Sequence, residues 1–442
     1  MIKTKVQLIR PPVDDWYGSE RLTDLESVPT GLLILASRIR SLQNIDVEVI
    51  DGLNKPIEYI INQIDGDIVG TTTMYSNYIN NLKVLNVAKL TGAKTLIGGP
   101  NTTFISKRIL KNNPFIDYVV VGDGEDALPA IARNAINKKT PNITYREGNA
   151  IIQNKSRMAE LNTLFDLENV VDQNYKTTNA VPISSIRGCI KAELGKRCSF
   201  CSMQHGLAIM NPNLVWDQIK LLNEKYGFDY FFESGDTFIV NDFPQQLLNA
   251  KPDDINPFRL RFYIIPNQIN EEVADLLVKL NMHEVVMGIE SANNDILKAA
   301  GKSYIFEDVI RAAKILSERI ENIHVPFIFG LNGESEQSAE RTYEFAKGLK
   351  DSFSSVRIVS SFAIPFPGTA LFEQIRLNSS ARREYSGNID EDDSFDYRDL
   401  VRLQIKYFTK ISFEKAKEFV KRTKNLVDRE GYSTSYGINR RL

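Results

Sequence analysis

The three cysteines of this 442-residue chain, Cys189, Cys198 and Cys201, lie within one stretch of thirteen residues. Cysteines without a common task do not cluster in this way in a chain of such length, whereas thiolates that bind one metal centre must. Three sulfur ligands, rather than four, suit an iron–sulfur cluster in which one iron keeps an open coordination site. The spacing therefore predicts that the three cysteines bind a [4Fe–4S] cluster with catalysis at iron.

The residues around these cysteines also allow other interpretations. Cys198 and Cys201 form a C-x2-C-x3-H pattern with His205, and Cys189 can complete a Cys3His zinc site. Buried, unreactive cysteine is a further alternative. Disulfides are disfavoured by the odd count and by the length of the chain. Thiolates are favoured in either metal site by the nearby basic residues Arg187, Lys191, Lys196 and Arg197.

The composition is that of an ordinary globular protein, with 43% hydrophobic and 25% charged residues. The length suits about two or three domains. A net charge of −2 gives no general attraction for nucleic acid or for anionic membranes. No apolar run is long enough to span a bilayer, and the N-terminal segment resembles a strand rather than a signal peptide. We therefore expect a soluble, cytoplasmic protein, in agreement with unpaired cysteines.

Residues 1–140 alternate short β-rich segments with helical patterns such as 31–42 and 77–90. Apolar strands that alternate with helices indicate a parallel sheet covered on both faces. The expected domain is flavodoxin-like (Rossmann-like) and doubly wound. Its five predicted strands are 6–9, 47–51, 67–71, 94–98 and 118–122.

The carboxyl ends of these predicted strands carry residues suited to a ligand site, because open α/β sheets bind ligands there. Glycines at such ends allow a close approach of the backbone to a bulky ligand. The alternative is a set of ordinary strand-to-helix turns. No G-x-G-x-x-G follows the first strand, which disfavours a dinucleotide. The candidate residues are Pro12, Thr71, Thr72, Thr73, Gly98, Gly99, Pro100, Asn101, Gly122, Gly124 and Glu125.

Residues 141–180 are expected to be a connector with a hairpin over 143–152. In 181–375, six further strands alternate with helices and predict a partial (β/α)6, TIM-type barrel, with the cysteine loop just after its first strand. Residues 376–442 predict a small helical cap with helices over 397–410 and 413–427, either a lid or a solvated packing pair. The six strands are 181–186, 228–233, 259–265, 284–289, 324–331 and 356–364, with helices over 216–226, 271–280, 306–318 and 338–349.

A cysteine loop after the first barrel strand resembles that of the radical SAM superfamily. Arg187-Gly-Cys189 before the loop, and Cys198-Ser-Phe-Cys201 with an aromatic Phe200 at its end, carry the resemblance. It implies that S-adenosylmethionine (SAM) binds the open iron and is cleaved to a 5′-deoxyadenosyl radical. One departure is the C-x8-C-x2-C spacing, five residues longer than the usual C-x3-C-x2-C. A longer loop can still bring both sulfurs to one cluster, since its closure costs little extra entropy, and it can reach over the substrate or a second cofactor.

The resemblance also implies a set of SAM-binding residues at later strand ends. Glu233, Ser234, Gly235 and Asp236 match the motif that holds the methionyl amine. Glu290 and Ser291 match the polar residues that contact the ribose or the methionyl carboxylate. Gly330 begins a G-L-N-G-E sequence that is similar to the family's G-x-P-G-E, with Asn332 in place of proline. Each of these stretches alone is equally typical of a turn or a helix cap.

The N-terminal domain ahead of such a barrel resembles that of the cobalamin-binding subclass, and the resemblance covers residues 5–375. Gly98-Gly-Pro100 and Gly122-Asp-Gly-Glu125 belong to the shared pattern. No D-x-H-x-x-G is present, and all three histidines lie in the barrel half, so no histidine of the domain can ligate cobalt. Some members of the subclass keep this domain without using cobalamin.

The main functional hypothesis is a cobalamin-dependent radical SAM methyltransferase that acts on an unactivated carbon or phosphorus. The alternatives are a radical SAM enzyme for dehydration, rearrangement or cyclisation, with cobalamin absent or auxiliary, and a zinc-stabilised cobalamin-binding protein without radical chemistry. Expected partners are a small-molecule or peptide substrate and an external electron donor of the flavodoxin or ferredoxin type, with neither nucleic acid nor membrane. Arg261, for an anionic group, and Tyr263 are the catalytic candidates, and Glu290 and His205 are further acid–base candidates.

Overall fold

The computed structural model of the protein describes residues 3–14, 28–172, 175–177, 180–203, 206–235 and 237–426. These residues divide into two units. The first unit comprises the described residues up to 176 together with Glu391–Ser394, and the second unit comprises the rest. No helix in the described ranges is long and apolar enough to cross a membrane.

The first unit contains one eight-stranded sheet with the order β7-β6-β5-β4-β3-β1-β2-β8. Strands β1 to β5 are parallel, and their order 2-1-3-4-5 is that of a flavodoxin-like, doubly wound domain. The short β8 is added in parallel beside β2. The predicted fold class of this part is therefore confirmed. The strands are β1 (Thr4–Arg10), β2 (Ile45–Asp51), β3 (Ile68–Thr72), β4 (Lys94–Gly98), β5 (Tyr118–Val120), β6 (Ile143–Glu147), β7 (Ala150–Gln153) and β8 (Val170–Val171).

Helices cover this sheet because its central strands are apolar on both faces, as Val6, Leu8 and Ile9 of β1 illustrate with at most 2% exposure. The helices are α1 (Thr30–Arg40), α2 (Ile57–Ile61), α3 (Tyr78–Leu90), α4 (Ser106–Asn112) and α5 (Ala127–Ala132).

The sheet extends beyond the predicted boundary at residue 140. The predicted hairpin is present as β6 and β7, and β6 pairs antiparallel with β5. β8 pairs with β2 at the opposite edge. Both edges of the parallel sheet are therefore covered by strands from the expected connector, which satisfies backbone groups that an open edge would expose.

The second unit contains six parallel strands in the order β16-β15-β14-β13-β12-β9, which confirms the predicted partial barrel. The predicted first strand over 181–186 is wrong in one respect, because it is divided in two: β9 belongs to the barrel, whereas β10 leaves it and pairs antiparallel with β11. The strands are β9 (Val181–Ile183), β10 (Ile186–Gly188), β11 (Leu207–Ile209), β12 (Tyr230–Glu233), β13 (Arg259–Ile264), β14 (Met282–Met287), β15 (Asn322–Phe329) and β16 (Val356–Phe362).

Helices follow most of these strands and bury one face of each. In β13, Leu260, Phe262 and Ile264 are buried, and they alternate with half-buried residues on the inner face of the barrel. The helices are α6 (Ile190–Glu193), α7 (Pro212–Tyr226), α8 (Phe243–Asn249), α9 (Glu271–Lys279), α10 (Asn294–Ala299), α11 (Phe306–Ser317), α12 (Glu336–Ser352), α13 (Ala370–Leu377), α14 (Ser379–Glu384), α15 (Tyr397–Phe408) and α16 (Phe413–Lys424).

The C-terminal helix α16 packs on the barrel sheet. Phe419 stacks on Phe329 of β15, and Phe413 stacks on Phe362 of β16, with centroid distances of 6.0 and 5.9 Å. The carbonyl oxygen of Val420 accepts a hydrogen bond from the side chain of Ser360 at 3.0 Å. Of the two interpretations of the helical tail, α16 therefore matches the packing helix.

Candidate functional site

The cysteine loop of the second unit connects two strands that pair with each other at the base of the loop. β10 leads into Cys189, and Gly188 lies opposite Leu207 of β11, which follows the loop. Gly188 has a φ of 96°, and a Cβ atom there would lie 2.2 Å from the carbonyl oxygen of Gly206. Since only glycine tolerates this backbone and this approach, the loop has a narrow, closed base.

None of the three cysteines forms a disulfide, and all three are half-buried. Cys189 immediately precedes α6, and the chain turns at Gly195, whose φ of 68° lies in the left-handed region. The amide of Cys201 donates to the carbonyl oxygen of Cys198 at 3.1 Å, and the amide of Met203 donates to the Cys201 sulfur at 3.4 Å. The extra residues between Cys189 and Cys198 thus form a helical turn and a reverse turn rather than an extended loop.

The loop is fixed beyond the carboxyl ends of the barrel strands. The amide of Ser199 donates to the carbonyl oxygen of Ala300 at 3.0 Å, and the amide of Leu371 donates to that of Ser199 at 3.1 Å. The thiols therefore lie at the face where barrel enzymes place their active sites. Phe200 packs against a buried cluster on this face formed by Ile296, Ala300, Leu331, Ala363 and Leu371.

The donor set of the loop fits a [4Fe–4S] cluster. Within the described ranges, no three cysteine, histidine or carboxylate side chains converge closely enough to hold a single metal ion. A cluster does not require such convergence, because each cysteine binds a different iron. Three cysteine thiols on one anchored loop supply the ligands, and Lys191, 3.3 Å from the Cys198 sulfur, supplies a compensating positive charge. His205, the fourth ligand of the zinc alternative, lies outside the described residues.

Glu233 and Ser234, at the end of β12, connect neighbouring strands. The buried Glu233 carboxylate accepts hydrogen bonds from the hydroxyl and, at 3.0 Å, the amide of Ser185, and from the amide of Gly235 at 2.8 Å. Burial raises the pKa of Glu233 to about 7, and these hydrogen bonds oppose the shift. The hydroxyl of Ser234 donates to the carbonyl oxygen of Ile183 at 2.9 Å.

Gly235 is required by its position against β10, because a Cβ atom there would lie 2.5 Å from the carbonyl oxygen of Ile186. The carboxylate of Glu233 is occupied by hydrogen bonds from Ser185 and Gly235. The predicted contact with the methionyl amine therefore depends on backbone carbonyls of this stretch. Asp236, the last residue of the predicted motif, lies outside the described residues.

Glu290 follows β14 with a φ of 64°, a conformation that is uncommon for residues other than glycine. Its amide donates to the carbonyl oxygen of Pro326 at 3.0 Å, and its carbonyl accepts from the amide of Ile328 at 2.9 Å. Its carboxylate pairs with Lys302 at 2.5 Å, and both side chains are buried. The Nζ atom of Lys302 lies 5.1 Å from the ring centroid of Phe200, so the pair connects this strand end with the cysteine loop.

The electrostatics of this pair keep Lys302 charged. Burial disfavours the ammonium, but the carboxylate of Glu290, with Tyr304 and Cys198, raises the pKa of Lys302 above its ordinary value.

Ser291, in contrast, is directed into the fold. Its fully buried hydroxyl lies 3.3 Å from that of Thr342 in α12 and accepts from the amide of Asn293 at 3.2 Å. Contact of Ser291 with the ribose or the carboxylate of SAM stays a prediction.

Gly330, just after β15, has a φ of 91°. Its amide donates to the buried carboxylate of Glu334 at 2.6 Å, and its carbonyl accepts from Gln404 of α15 at 3.0 Å. Asn332, at the position of the family's proline, exchanges side-chain hydrogen bonds with Gln374 and accepts one from the side chain of Gln404, each at 2.9 Å. Burial raises the pKa of Glu334 to about 8, opposed by the amide of Gly330.

Arg261 lies on the inner face of β13 and is already matched by a carboxylate. It pairs with the buried Glu284 at 2.8 Å, and Glu284 also accepts from Tyr230 at 3.0 Å and lies 3.2 Å from His324. Burial opposes ionisation of Glu284, but His324, Arg261 and Tyr230 hold its pKa below the ordinary value. Tyr263 lies two residues nearer the carboxyl end on the same face. The catalytic roles of Arg261 and Tyr263 stay predictions.

In the first unit, Gly99 is placed directly against the end of β3. It has a φ of 108°, and a Cβ atom there would lie 2.5 Å from the carbonyl oxygen of Thr73 and 3.1 Å from the hydroxyl oxygen of Thr72. The amide of Thr73 donates to the carbonyl oxygen of Gly98 at 2.8 Å. The ends of β3 and β4 therefore form a closely packed backbone surface, suited to a large ligand that must approach the main chain.

Thr71 places a buried hydroxyl near this surface, and within the described part of the chain its Oγ1 atom has no hydrogen-bond partner. Because an unpaired buried hydroxyl is costly, it is a candidate ligand contact. Gly122 has a φ of 74°, and its amide donates to Thr103 at 3.2 Å. These features fit the binding of a corrinoid at the strand ends. Pro100 is exposed, Asn101 half-buried, and Pro12, Gly124 and Glu125 are buried.

Several residues that position these surfaces were missed by sequence reasoning. The Asp14 carboxylate accepts from the amides of Ile79 and Asn80 at the start of α3, at 3.1 and 2.8 Å. The side chain of Asn80 donates to the carbonyl oxygen of Pro12 at 3.2 Å. The sequence carried no local signal for Asp14, because it is distant in sequence from the helix start that it caps, and the N-cap residue Asn77 makes no side-chain capping hydrogen bond. Lys302 also gave no signal, because it lies eleven residues beyond the nearest motif.

The comparisons with known proteins agree with this geometry. The chain matches the family model of the radical SAM superfamily over residues 183–346 and that of the B12 binding domain over residues 23–132. The chain therefore contains a radical SAM domain and a B12-binding domain. The radical SAM match begins in β9 and includes the cysteine loop, Glu290 and Gly330.

Two curated relatives match most of this chain. An uncharacterized methyltransferase of Pyrococcus horikoshii is 27% identical over 402 residues, which is 85% of this chain and 84% of that protein. The anaerobic magnesium-protoporphyrin IX monomethyl ester cyclase of Cereibacter sphaeroides is 21% identical over 79% of this chain and 60% of the cyclase.

Among solved structures, the radical SAM methyltransferase TsrM from Kitasatospora setae, with cobalamin and a [4Fe–4S] cluster bound, has a TM-score of 0.73. It covers 97% of this chain and 92% of TsrM at 17% identity. A second TsrM structure, with tryptophan as substrate and a SAM analogue bound, has a TM-score of 0.66 at 18% identity, over 84% of this chain and 76% of TsrM. At this level of identity the likeness concerns the fold alone.

Proposed function

We propose that this protein is a cobalamin-dependent radical SAM methyltransferase that acts on an unactivated centre of a small molecule. The observation that carries the proposal is the three-thiol loop, which Ser199 and Phe200 fix beyond the carboxyl ends of the barrel strands. A flavodoxin-like domain with a glycine-walled surface at its strand ends precedes it in the same chain. Similarity to the Pyrococcus methyltransferase supports the reaction class.

In this mechanism Cys189, Cys198 and Cys201 hold the cluster and leave one iron for the amino and carboxylate groups of SAM. When bound, the cluster supplies the electron that cleaves SAM homolytically, and cobalamin supplies a methyl carrier. Backbone carbonyls after β12 orient the methionyl amine. The Lys302–Glu290 pair sets the position of the Glu290 carboxylate, which we assign to the SAM ribose.

The first unit binds the corrinoid through the ends of β3, β4 and β5. Gly98 and Gly99 allow close approach, and the Thr71 hydroxyl donates to a polar group of the ligand. The chain offers no histidine for cobalt in this unit, since its histidines are at 205, 283 and 324. A reducing, cytoplasmic setting suits three cysteines that form no disulfide, and we assign the electron to an external donor of the flavodoxin or ferredoxin type.

A second candidate is a radical SAM enzyme that does not transfer a methyl group. It is favoured by the similarity to the anaerobic cyclase, which extends over 79% of this chain.

Anaerobic iron, sulfide, zinc and corrinoid analysis of the reconstituted protein tests the proposal. We expect about four irons and one corrinoid per chain, reductive cleavage of SAM, and transfer of a trideuteromethyl group from labelled SAM. The variant Cys198→Ala should lose SAM cleavage and keep the corrinoid, whereas Ser199→Ala, which retains the anchoring backbone, should keep both. Four irons without corrinoid would favour the second candidate. Zinc without iron, or full cleavage by Cys198→Ala, would refute the radical mechanism.

A further inference from the structure

A lysine inside the lengthened cysteine loop contacts one of the cysteines. The Nζ atom of Lys191 lies 3.3 Å from the Cys198 sulfur, and it also donates to the carbonyl oxygen of Gly301. An ammonium group at this distance donates a charge-assisted hydrogen bond to a thiolate. In the described part of the chain, no carboxylate pairs with Lys191, so its charge is not neutralised locally.

The extra residues of the loop make this contact. The helix α6 begins directly after Cys189, and Lys191 lies in its first turn. The amide of Lys196 donates to the carbonyl oxygen of Lys191 at 2.7 Å. This bond closes the turn at Gly195, so the chain returns and brings Cys198 back beside Lys191. A loop with three residues between the first two cysteines has no room for this turn.

Gly301 fixes the other end of the contact. It has a φ of 75°, and a Cβ atom there would lie 3.2 Å from the carbonyl oxygen of Arg197 and 3.6 Å from the Cα atom of Cys198. The backbone after α10 therefore lies directly against the second cysteine. Lys191 joins these two segments, so its ammonium is held in place at the sulfur rather than in solvent.

Hydrogen bonds to cysteine sulfurs and nearby charges set the reduction potential of iron–sulfur clusters. Reduction adds one negative charge to the cluster, and a cation at a ligand sulfur stabilises the reduced form more than the oxidised form. Lys302, a second cation near Cys198, is matched by Glu290. The guanidinium of Arg197, which precedes Cys198, donates to the carbonyl oxygen of Met203 at 2.5 Å. Lys191 contacts a cysteine sulfur directly, so its charge acts at the cluster.

We propose that Lys191 is a positioning residue that donates a hydrogen bond to the Cys198 thiolate and raises the reduction potential of the cluster. It makes the one-electron reduction by the external donor easier. This inference rests on the proposed function only in requiring a [4Fe–4S] cluster on the three cysteines. It concerns the potential and not the identity of the substrate.

An electron paramagnetic resonance redox titration of the reconstituted full-length protein, without SAM, tests this role. Lys191→Met removes the donor and the charge, and Lys191→Arg keeps both. Lys196→Met, at an exposed position of the same loop, is the matched control. At a fixed potential we expect Lys191→Met to lower the ratio of reduced to oxidised cluster about tenfold, equivalent to about 59 mV. Lys191→Arg and Lys196→Met should stay near the wild-type ratio.

The iron content of each variant is measured first. A Lys191→Met protein with four irons and an unchanged potential would overturn the role of Lys191 and leave the proposed function intact. If Lys191→Met does not retain iron, Lys191→Gln, whose amide donates without charge, replaces it. A potential for Lys191→Gln equal to that of Lys191→Arg would then overturn the inference. Wild-type protein that binds no iron would instead refute the proposed function.

Discussion

Lys302 and Glu290 form a buried ion pair, with Nζ 2.5 Å from Oε1, and the backbone of Glu290 is left-handed and bonded to β15. The ring of Phe200 lies against the ammonium of Lys302. The pair therefore joins a strained strand end to the cysteine loop, and removal of one partner should affect both.

The variant Lys302→Met should be destabilised by about 3–5 kcal/mol, because it leaves the Glu290 carboxylate buried without its partner. The double variant Glu290→Gln/Lys302→Met should recover a large part of this loss. The measurement is urea unfolding of the cluster-free protein, evaluated as a double-mutant cycle. Lys298→Met, at an exposed position of α10, is the control. Additive effects of the two single substitutions would show that the pair does not couple the two residues.

Thr71→Val should separate ligand binding from stability. Valine has the shape of threonine without the hydroxyl, and the Oγ1 atom of Thr71 is buried without a hydrogen-bond partner in the described ranges. We expect the free energy of unfolding of the corrinoid-free protein to rise by about 1 kcal/mol, because an unsatisfied buried hydroxyl is lost. Corrinoid retention, measured by absorbance after gel filtration, should fall.

The neighbouring Thr73→Val is the matched control for Thr71→Val. The Thr73 hydroxyl donates to the carbonyl oxygen of Met74 at 3.0 Å, so its removal should lower the free energy of unfolding by about 1 kcal/mol. An equal loss of stability in both variants would mean that the Thr71 hydroxyl has a hydrogen-bond partner within the folded protein.

Gly99→Ala should reduce corrinoid content at least about tenfold without loss of iron, a factor worth about 1.4 kcal/mol. The added methyl group would lie 2.5 Å from the carbonyl oxygen of Thr73, so the strand ends must separate. Gly92→Ala has a similar positive φ, 91° against 108°, but no atom within 4 Å of the added methyl group. It controls for backbone strain alone. Equal corrinoid content in the two variants would exclude Gly99 from the binding surface.

The fold could be predicted from sequence because its strands are short apolar segments between helical patterns. The strand predicted over 259–265 corresponds to β13, and the strand predicted over 94–98 corresponds to β4. The end of the first barrel strand could not be predicted, because the apolar residues Val181, Ile183 and Ile186 continue from β9 into β10. Only the pairing of β10 with β11 shows that β10 leaves the barrel. The cysteine loop was placed at the correct face, since parallel strands carry their sites at the carboxyl ends.

The direction in which each side chain points could not be predicted from the spacing of the motifs in the sequence. The sequence predicts that Arg261 binds an anionic group, but the strand register places it opposite Glu284, which matches its charge. Ser291 lies next to Glu290 in the same motif, and its hydroxyl is directed into the fold. Neighbouring residues of one motif face different surroundings, and only the paired strands determine which.

Glu334 should make the stability of the protein depend on pH. The folded state raises its pKa from 4.5 to about 8, because the carboxylate is buried and Oε1 has no hydrogen-bond partner among the described residues. Between these values the folded protein binds a proton that the unfolded chain releases. The stabilising effect is therefore complete below about pH 4.5 and is lost as the pH rises toward 8, at up to about 1.4 kcal/mol per pH unit.

Glu334→Gln should remove this contribution, since the amide does not ionise and can still accept from the amide of Gly330. Urea unfolding of the cluster-free protein at pH 5, 6, 7 and 8 measures the slope. Glu233, with a pKa of about 7, contributes in the same direction up to that pH and is retained in the variant. The slope of the variant should therefore fall by a similar amount from pH 5 to 7, and the fall should be the largest fraction of the wild-type slope between pH 7 and 8, where Glu334 acts without Glu233. Glu272→Gln, at an exposed position of α9, should leave the wild-type slope, and the same slope in Glu334→Gln would show that Glu334 is ionised in the folded protein.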